Sequence, residues 1–363
     1  MNERINPERL KLARLRRKLT YSALSEITGI STKSLAGYEK FDNLFMPTEQ
    51  TTQLIADALN YPKEFFFGEE VEFVEPSTVS FRSLKSLKAA DQHAAEAAGS
   101  LGVIVNSFFE SKFNLPQSNL PNLRGYEPEA AAETLREIWG LGTKSISNMV
   151  HLLEANGVRV FSLAENTLKV DAFSFWKNET PYVFLNTQKS GERSRFDAAH
   201  ELGHLVLHKH GSPQGRDAED EADKFASAFL MPKRTIIASK MNFPTLDEAI
   251  RLKKNWRVSA VALIVRMKHV GILTEWQYRT LMIEANKRNL RYREIEGVER
   301  ERSILIEKML AILKQDGFKL SDLSKKLFIP IEELTNLLFM VALIQGNNGV
   351  NLKNKSTANL KIV

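Results

Sequence analysis

The most chemically informative residues of this chain are two histidines with a glutamate directly after the first. His200, Glu201 and His204 belong to the run His-Glu-Leu-Gly-His. Histidines four residues apart project from one face of a helix, where both imidazoles can bind one metal ion. The glutamate cannot bind alongside them, but it can reach a water on the metal and act as general base. The alternative is a helix with a chance histidine pair, so the surrounding sequence must decide between the two.

A catalytic zinc normally has three protein ligands, so a third ligand is expected nearby. His210 stands where a third histidine could follow, but Leu207 replaces the glycine that would turn the chain back to the metal. His208 lies one turn beyond His204, and a straight helix carries it too far along its axis. It fits better as a helix C-cap or a core residue.

The remaining candidate is an acidic helix that the sequence predicts to begin near Asp217. Glu219 and Asp223 are four residues apart and share a face of that helix. We expect Glu219 to be the third ligand and Asp223 to accept a hydrogen bond from the free N–H of a ligating histidine. Glu221 is the second choice for the ligand. Taken alone, the acidic run also fits a solvated helix N-terminus, where carboxylates are favoured.

The elements that must position these residues are a helix and a small sheet. The helix is predicted from about Phe196 to His208. Upstream, three runs rich in β-branched and aromatic residues predict a small antiparallel sheet, at Val158–Leu163, Val170–Trp176 and Pro181–Leu185. An open sheet edge beside a metal can hold an extended peptide through backbone hydrogen bonds. We therefore predict an α+β, mostly helical chain with a zincin-like domain.

Two separated motifs resemble one known family. The run Arg193-Ser-Arg-Phe-Asp-Ala-Ala-His-Glu-Leu-Gly-His-Leu-Val-Leu-His208 precedes the run Glu219-x-x-Ala-Asp-x-Phe-Ala-x-x-Phe-Leu-Met-Pro232. In order and spacing they resemble the ImmA/IrrE family of zinc-dependent metallopeptidases, over roughly Gly157 to Pro232. That family commonly has Asn at the position of Asp223, and either residue can accept a hydrogen bond. Phe229 replaces a leucine of the family, which changes packing only. The resemblance implies that His200, His204 and Glu219 bind Zn²⁺ and that Glu201 is the general base.

The first residues predict a compact bundle of helices, from Pro7 to Phe67. Gly29 makes a turn, Ser31 caps the helix that follows, and Leu35 and Tyr38 form the inner side of that helix. A helix, a glycine-containing turn and a second helix at this spacing form the helix-turn-helix pattern. The stretch Leu24-x(4)-Gly29-Ile-Ser-x(3)-Leu35-x(2)-Tyr38-Glu39 resembles the lambda-repressor-like (XRE) DNA-binding family.

Positive charge is concentrated in this bundle. Residues 1–40 contain nine Lys or Arg and four Glu, an excess of +5 in a chain whose net charge is +6. Such residues would neutralise phosphates of double-stranded DNA. The expected DNA contacts are Arg17, Thr32, Lys33, Ser34 and Gly37, the last four as exposed positions of the recognition helix. The alternative is a bundle for protein contacts or dimerisation, and since one bundle binds DNA weakly, a homodimer or a partner is expected.

Length and composition predict several domains. The expected organisation is a helix-turn-helix domain at 1–68, a linker helix at 69–125, a zincin-like domain at 126–240, a C-terminal helical domain at 241–345 and a flexible tail at 346–363. In the C-terminal part, residues 303–338 faintly echo a second helix-turn-helix. Glu332 and Glu333 at the start of its second helix would repel phosphate, which favours a packing or dimer role.

Composition also limits the function classes. The chain has no cysteine, so zinc must be bound by histidine and carboxylate. No run approaches the ~20 apolar residues of a membrane span, and the charged N-terminus lacks a secretory apolar core. We therefore expect no membrane partner and a cytoplasmic location.

Two functional hypotheses follow. In the first, the chain is a zinc metalloendopeptidase fused to a DNA-binding domain. The family resemblance then implies a narrow protein substrate, often a transcriptional repressor that controls stress, phage or mobile-element genes. In the second, it is a DNA-binding regulator whose zincin domain serves as a sensor or interaction module without proteolysis. The intact general base favours the first, whereas the N-terminal bundle favours the second or a combination. The residue that stabilises the oxyanion stays open among Arg193, Arg195 and Tyr182.

Overall fold

The computed structural model describes residues 4–42, 46–71, 73–74, 80–81, 88–163, 171–209, 215–239 and 244–339. Sixteen α-helices and a four-stranded sheet lie in these ranges. The predicted α+β, mostly helical class is confirmed. None of the helices in these ranges is long and apolar enough to cross a membrane. His210 and the C-terminal tail lie outside the described residues.

The N-terminal part is a bundle whose helices begin at side-chain caps. The hydroxyls of Thr20, Ser31 and Thr48 each accept a hydrogen bond from a backbone N–H in the first turn of α2, α3 and α4. Gly29 ends α2 with a φ of 73°, a left-handed conformation that glycine adopts without strain. The four helices are α1 (Pro7–Arg16), α2 (Tyr21–Thr28), α3 (Thr32–Tyr38) and α4 (Glu49–Leu59), and a 3-10 helix follows at Lys63–Phe67.

The sheet is mixed, which corrects the prediction of an antiparallel sheet. Its strands are β1 (Ser80–Phe81), β2 (Arg159–Leu163), β3 (Ala172–Lys177) and β4 (Thr180–Asn186), in the order β1-β3-β4-β2. β3 forms antiparallel pairs with β4 and with β1. β2 does not pair with β3 but with the other side of β4, to which it runs parallel. Sequence pattern marks a strand without stating its neighbour, so this pairing could not be predicted from it.

One face of the sheet carries stacked aromatic rings that α5 (Ala89–Glu110) covers. The rings of Phe173 and Phe184 stack with centroids 4.6 Å apart, and those of Phe175 and Tyr182 with centroids 5.0 Å apart. Gly102 of α5 approaches Phe184 so closely that an added Cβ would lie 2.5 Å from its ring. Much of α5, which falls in the segment expected to be a linker, is therefore buried in the core.

The other helices frame the candidate site and extend to residue 337. The helix with both histidines, α8, packs against α9 and against β3. Between the histidines, a Cβ on Gly203 would lie 3.0 Å from the ring of Phe225 and 3.2 Å from the Cα of Ala222. These helices are α6 (Pro128–Ile138), α7 (Met149–Ala155), α8 (Gly191–Leu207), α9 (Arg216–Leu230), α10 (Lys233–Ala238), α11 (Leu246–Leu252), α12 (Ala260–His269), α13 (Glu275–Lys287), α14 (Ile304–Gln315), α15 (Leu320–Leu327) and α16 (Ile331–Leu337).

Helix α16 contacts both the N-terminal bundle and the sheet. The buried Glu333 accepts hydrogen bonds from Arg17, at 2.5 Å, and from Arg16, at 2.9 Å. Three residues later, the backbone carbonyl of Asn336 accepts a hydrogen bond from the hydroxyl of Ser162 on β2. The acidic start of this helix therefore has a packing role within the chain.

Candidate metal centre

Two helices bring the candidate ligands together. α8 starts at the cap Ser190, whose hydroxyl accepts from the backbone N–H of Arg193, and then runs through the core. His200 and His204 on this helix are 0% and 3% exposed. α9 supplies Glu219 from its first turn. One ligand atom from each of His200, His204 and Glu219 lies within 4.8 Å of the other two, and this cluster could hold a metal ion.

The distances in the cluster fit a small cation. The two Nε2 atoms of His200 and His204 are 3.0 Å apart. Glu219 places Oε2 3.5 Å from His200 Nε2 and Oε1 3.3 Å from His204 Nε2. Two nitrogens that bind one zinc ion at about 2.0–2.1 Å in tetrahedral geometry would be about 3.3 Å apart. The buried Oε1 of Glu219 has no hydrogen-bond partner within the described residues, so the donor set suits a cation at its centre.

Asp223 lies where the spacing on α9 suggested. Its Oδ1 is 2.8 Å from Nδ1 of His200. Because a carboxylate only accepts, Nδ1 carries the proton, and Nε2 of a neutral His200 then presents its lone pair to the cluster.

His204 has a different neighbour on its outer nitrogen. Nδ1 of His204 lies 3.1 Å from Nδ1 of His208, and Nε2 of His208 lies 2.9 Å from Oε2 of Glu221. His208 is the C-cap residue of α8 and does not belong to the ligand cluster. Glu221, the second choice for the third ligand, therefore contacts His208 and lies outside the cluster.

Glu201 lies beside the cluster and contacts the sheet. It is 0% exposed, and its Oε2 accepts a hydrogen bond of 2.7 Å from the hydroxyl of Ser174 on β3. Its Oε1 is buried and has no hydrogen-bond partner among the residues that the structure describes. Burial raises the pKa of Glu201 to about 8. One carboxylate oxygen is thus held in place, while the other is free to exchange a proton.

Two of the candidate ligands, His204 and Glu219, have pKa values that suit cation binding. Burial lowers the pKa of His204 to about 4, which keeps the imidazole neutral and its lone pair available. Burial raises the pKa of Glu219, but the adjacent rings of His200 and His204 lower it more strongly, to about 2. At neutral pH the cluster therefore combines the neutral imidazole of His204 with the ionised carboxylate of Glu219.

All three candidates for oxyanion stabilisation make contacts with other residues of the chain. Tyr182 is buried, and its hydroxyl accepts from the amide of Asn106. Arg195 is buried and donates to Glu301 and to the carbonyl of Ile146. Arg193 is exposed and forms ion pairs with Asp171 and Asp197.

The expected DNA-contacting residues fall into two groups. Thr32 and Lys33 are exposed at the start of α3, while Ser34 and Gly37 are half-buried on the same helix. The hydroxyl of Ser34 is 2.8 Å from that of Ser31. Arg17 makes contacts within the chain instead: it donates to the carbonyls of Leu59 and Asn60 and to Glu333.

Sequence reasoning missed Ser174 and the contact between His208 and Glu221. Ser174 could have been noticed as a single polar residue between Phe173 and Phe175 on a buried strand. The contact of His208 with Glu221 had no signal in the sequence, because it depends on how α8 and α9 pack.

Comparison with known proteins supports the peptidase-like nature of this part of the chain. Residues 153–268 match the family model of the IrrE N-terminal-like domain (Peptidase_M78). This confirms the predicted resemblance to the ImmA/IrrE family and extends it beyond Pro232 to α12. The match includes all three residues of the cluster and supports a metallopeptidase-type function. No curated protein matches the chain.

Proposed function

We propose that this chain is a zinc-dependent metalloendopeptidase. The observation that carries the proposal is the convergence of His200, His204 and Glu219 with the carboxyl group of Glu201 beside them. The zinc assignment follows from the donor set, since histidine with carboxylate and no cysteine is typical of catalytic zinc sites. The family match supports the reaction class.

The residues around the cluster have distinct roles in this proposal. When bound, zinc supplies Lewis acidity toward the scissile carbonyl and toward a water molecule. Glu201 accepts a proton from that water at Oε1, while Ser174 holds Oε2. Burial favours the protonated form of Glu201 and a nearby cation favours the ionised form. These opposing effects suit a group that takes a proton and then passes it to the leaving amine.

A cavity of about 650 Å³ lies between α8, α9 and α12. It borders Asp223, whereas His200, Glu201, His204 and Glu219 do not line it. Phe196, Val261 and Val265 contribute apolar walls to it. We propose a protein substrate, and the family resemblance points to a transcriptional repressor or a similar regulator of stress, phage or mobile-element genes.

We propose further that the N-terminal bundle binds double-stranded DNA. The supporting observation is the α2–Gly29–α3 arrangement, which leaves Thr32 and Lys33 exposed at the start of the second helix. A recognition helix of this type inserts such residues into the major groove. A homodimer would supply the second half-site that a single bundle lacks.

One observation favours the alternative, a DNA-binding regulator whose zincin domain is a sensor without proteolytic activity. His200 and Glu201 are both 0% exposed, so a polypeptide reaches them only after a rearrangement.

Incubation with candidate substrates distinguishes the metalloendopeptidase hypothesis from the sensor hypothesis. The protein and its Glu201→Gln variant, both loaded with zinc, are mixed with repressors encoded by neighbouring genes, and the products are identified by mass spectrometry. We expect a single cleavage by the wild type and none by the variant. Equal cleavage by both proteins would exclude Glu201 as the base. If the Glu201→Gln variant retains the cellular phenotype, the sensor hypothesis is correct.

A further inference from the structure

His208 connects one of the candidate ligands to a carboxylate on the neighbouring helix. It lies one turn after His204 on α8, and its two ring nitrogens face different partners. Nδ1 is 3.1 Å from Nδ1 of His204, and Nε2 is 2.9 Å from Oε2 of Glu221 on α9. The ring therefore lies between His204 and a negative charge.

These contacts determine where the protons are. A carboxylate oxygen accepts hydrogen bonds, so Nε2 of His208, 2.9 Å from Oε2 of Glu221, carries a proton. A neutral imidazole has only one N–H, which leaves Nδ1 of His208 as an acceptor. Nδ1 of His204 must then donate to it, and the lone pair of His204 is on Nε2. That atom lies 3.0 Å from Nε2 of His200 and faces the metal position.

His200 has the same tautomer, but its Nδ1 contacts a carboxylate directly and not through a second histidine. Its Nδ1 donates directly to Asp223, 2.8 Å away. Both carboxylates come from α9, two residues apart, and Glu219 on the same helix completes the cluster. One helix thus supplies the candidate ligand Glu219, a carboxylate for Nδ1 of His200 and a carboxylate for Nε2 of His208.

We propose that His208 and Glu221 are positioning residues that hold His204 in the tautomer with its lone pair on Nε2. The proposal rests on the proposed function, because it assumes a metal in the cluster. Hydrogen-bond partners of ligating histidines fix ring orientation and tautomer, and their loss typically weakens metal binding about 10- to 100-fold.

A purely structural role for His208 makes a different prediction. As the C-cap of α8, it uses only its backbone N–H, which donates to the carbonyl of His204 at 3.0 Å. That contact does not depend on the chemistry of residue 221. Changes at Glu221, whose side chain is 49% exposed, therefore test the ring contacts without removing core packing.

The decisive experiment compares three substitutions on α9, with zinc affinity measured by competition with a chromophoric chelator. Glu221→Gln retains an acceptor for Nε2 of His208, and we expect an affinity within about twofold of the wild type. Glu221→Lys presents only donors, which moves the proton of His208 to Nδ1 and that of His204 to Nε2. We expect a loss of about 100-fold. Asp220→Lys makes the same charge change at the adjacent, exposed position and is the matched control.

Two substitutions of His208 complete the test. His208→Ala removes the acceptor for Nδ1 of His204, and we expect about 10- to 100-fold weaker zinc binding. In His208→Asn, Oδ1 can take the place of the ring Nδ1 and should restore most of the affinity. The visible absorption spectrum of the Co²⁺-loaded protein should change in His208→Ala and return toward the wild type in His208→Asn. The melting temperature of each metal-free variant checks that the fold is retained.

The outcomes are distinguishable. A wild type that binds no zinc would overturn the proposed function and this proposal with it. A wild type that binds zinc, with Glu221→Lys no weaker than Asp220→Lys, would overturn the positioning role and leave the proposed function intact. If His208→Ala does not fold, the Glu221 variants still test whether His208 and Glu221 position His204.

Discussion

The hydroxyl of Ser174 donates a hydrogen bond of 2.7 Å to Oε2 of Glu201 and thereby connects strand β3 to the helix with the two histidines. Glu201 is fully buried, so few groups could replace this donor. The carboxylate is held on one side by the sheet and is free on the other, at Oε1.

Removing this donor should reduce catalysis without removing the metal. In Ser174→Ala, Oε2 of Glu201 loses its hydrogen bond and the carboxylate can rotate. We expect kcat to fall about 10-fold, less than the about 10²- to 10⁴-fold that a positioned acid–base group contributes, because Glu201 itself is retained. Zinc content should stay at the wild-type value, measured by atomic absorption after gel filtration. The matched control is Ser162→Ala, at a hydroxyl that contacts α16 and not the site. An unchanged kcat in Ser174→Ala would contradict the role of this contact.

Zinc should be bound by the three residues of the cluster together. We expect about one zinc per chain in the wild type. His204→Ala and Glu219→Ala each remove one ligand and should lose most of the metal after dialysis. Asp220→Ala, one residue after Glu219 and exposed, should retain it. Full zinc occupancy in Glu219→Ala would show that another residue is the third ligand.

For DNA binding, the two basic positions should behave differently. Lys33 is exposed on α3, so Lys33→Ala should weaken binding to double-stranded DNA and reduce the slope of log affinity against log salt by about 1. Arg17 is paired with Glu333 and with carbonyls of the bundle. We expect Arg17→Ala to leave that slope unchanged. Fluorescence anisotropy over a salt series measures the slope for both variants. A decrease of the slope in Arg17→Ala as large as in Lys33→Ala, or larger, would show that Arg17 contacts phosphate.

The contact of α16 with the bundle should contribute to stability. Glu333→Ala leaves the guanidinium groups of Arg16 and Arg17 without their shared carboxylate in a buried setting. We expect the free energy of unfolding to fall by about 3 kcal/mol. Glu332→Ala, at the adjacent exposed carboxylate, should change it by less than about 0.5 kcal/mol. Chemical denaturation gives both values, and similar losses in the two variants would exclude a specific role for Glu333.

Glu154 should make the stability depend on pH. Burial raises its pKa from 4.5 to about 7, although it accepts hydrogen bonds from Ser303 and from the backbone N–H of Leu305. Because the folded-state pKa is the higher one, ionisation costs stability. The contribution of Glu154 to the free energy of unfolding is greatest below pH 4.5, its pKa in the unfolded state. It decreases as the pH rises from 4.5 through about 7, the pKa in the folded state.

The matched variant isolates this group from the others that titrate. The side chain of the Glu154→Gln variant cannot ionise. The difference in free energy of unfolding between wild type and variant should therefore change by about 2–3 kcal/mol from about pH 5 to about pH 8. The wild type should lose stability relative to the variant as pH rises. Denaturant unfolding at both pH values measures this difference. A constant difference would show that Glu154 does not titrate in this range.

The candidate ligands were predictable because the contacts that define them follow helical periodicity. The i, i+4 spacing of His200 with His204, and of Glu219 with Asp223, states which side chains share a face. Contacts set by packing were not predictable. The partner of Arg17 is Glu333, more than three hundred residues away in the chain, and the contact of His208 with Glu221 depends on the position of α9 beside α8. β2 was read as a strand, but its parallel neighbour β4 is fixed by the tertiary structure.

Gly203, one of the three residues between the histidines, limits which sequences can form this site. The backbone of α9 at Ala222 comes so close to α8 that a single methyl group at position 203 would be in tight contact with it. Any larger residue would increase the spacing between the helices, and Glu219, Glu221 and Asp223 would all move away from the imidazoles together. Position 203, which the His-x-x-x-His spacing leaves open, therefore sets the distance between α8 and α9, because glycine has no side chain to separate them. The candidate metal site is complete only at that short distance.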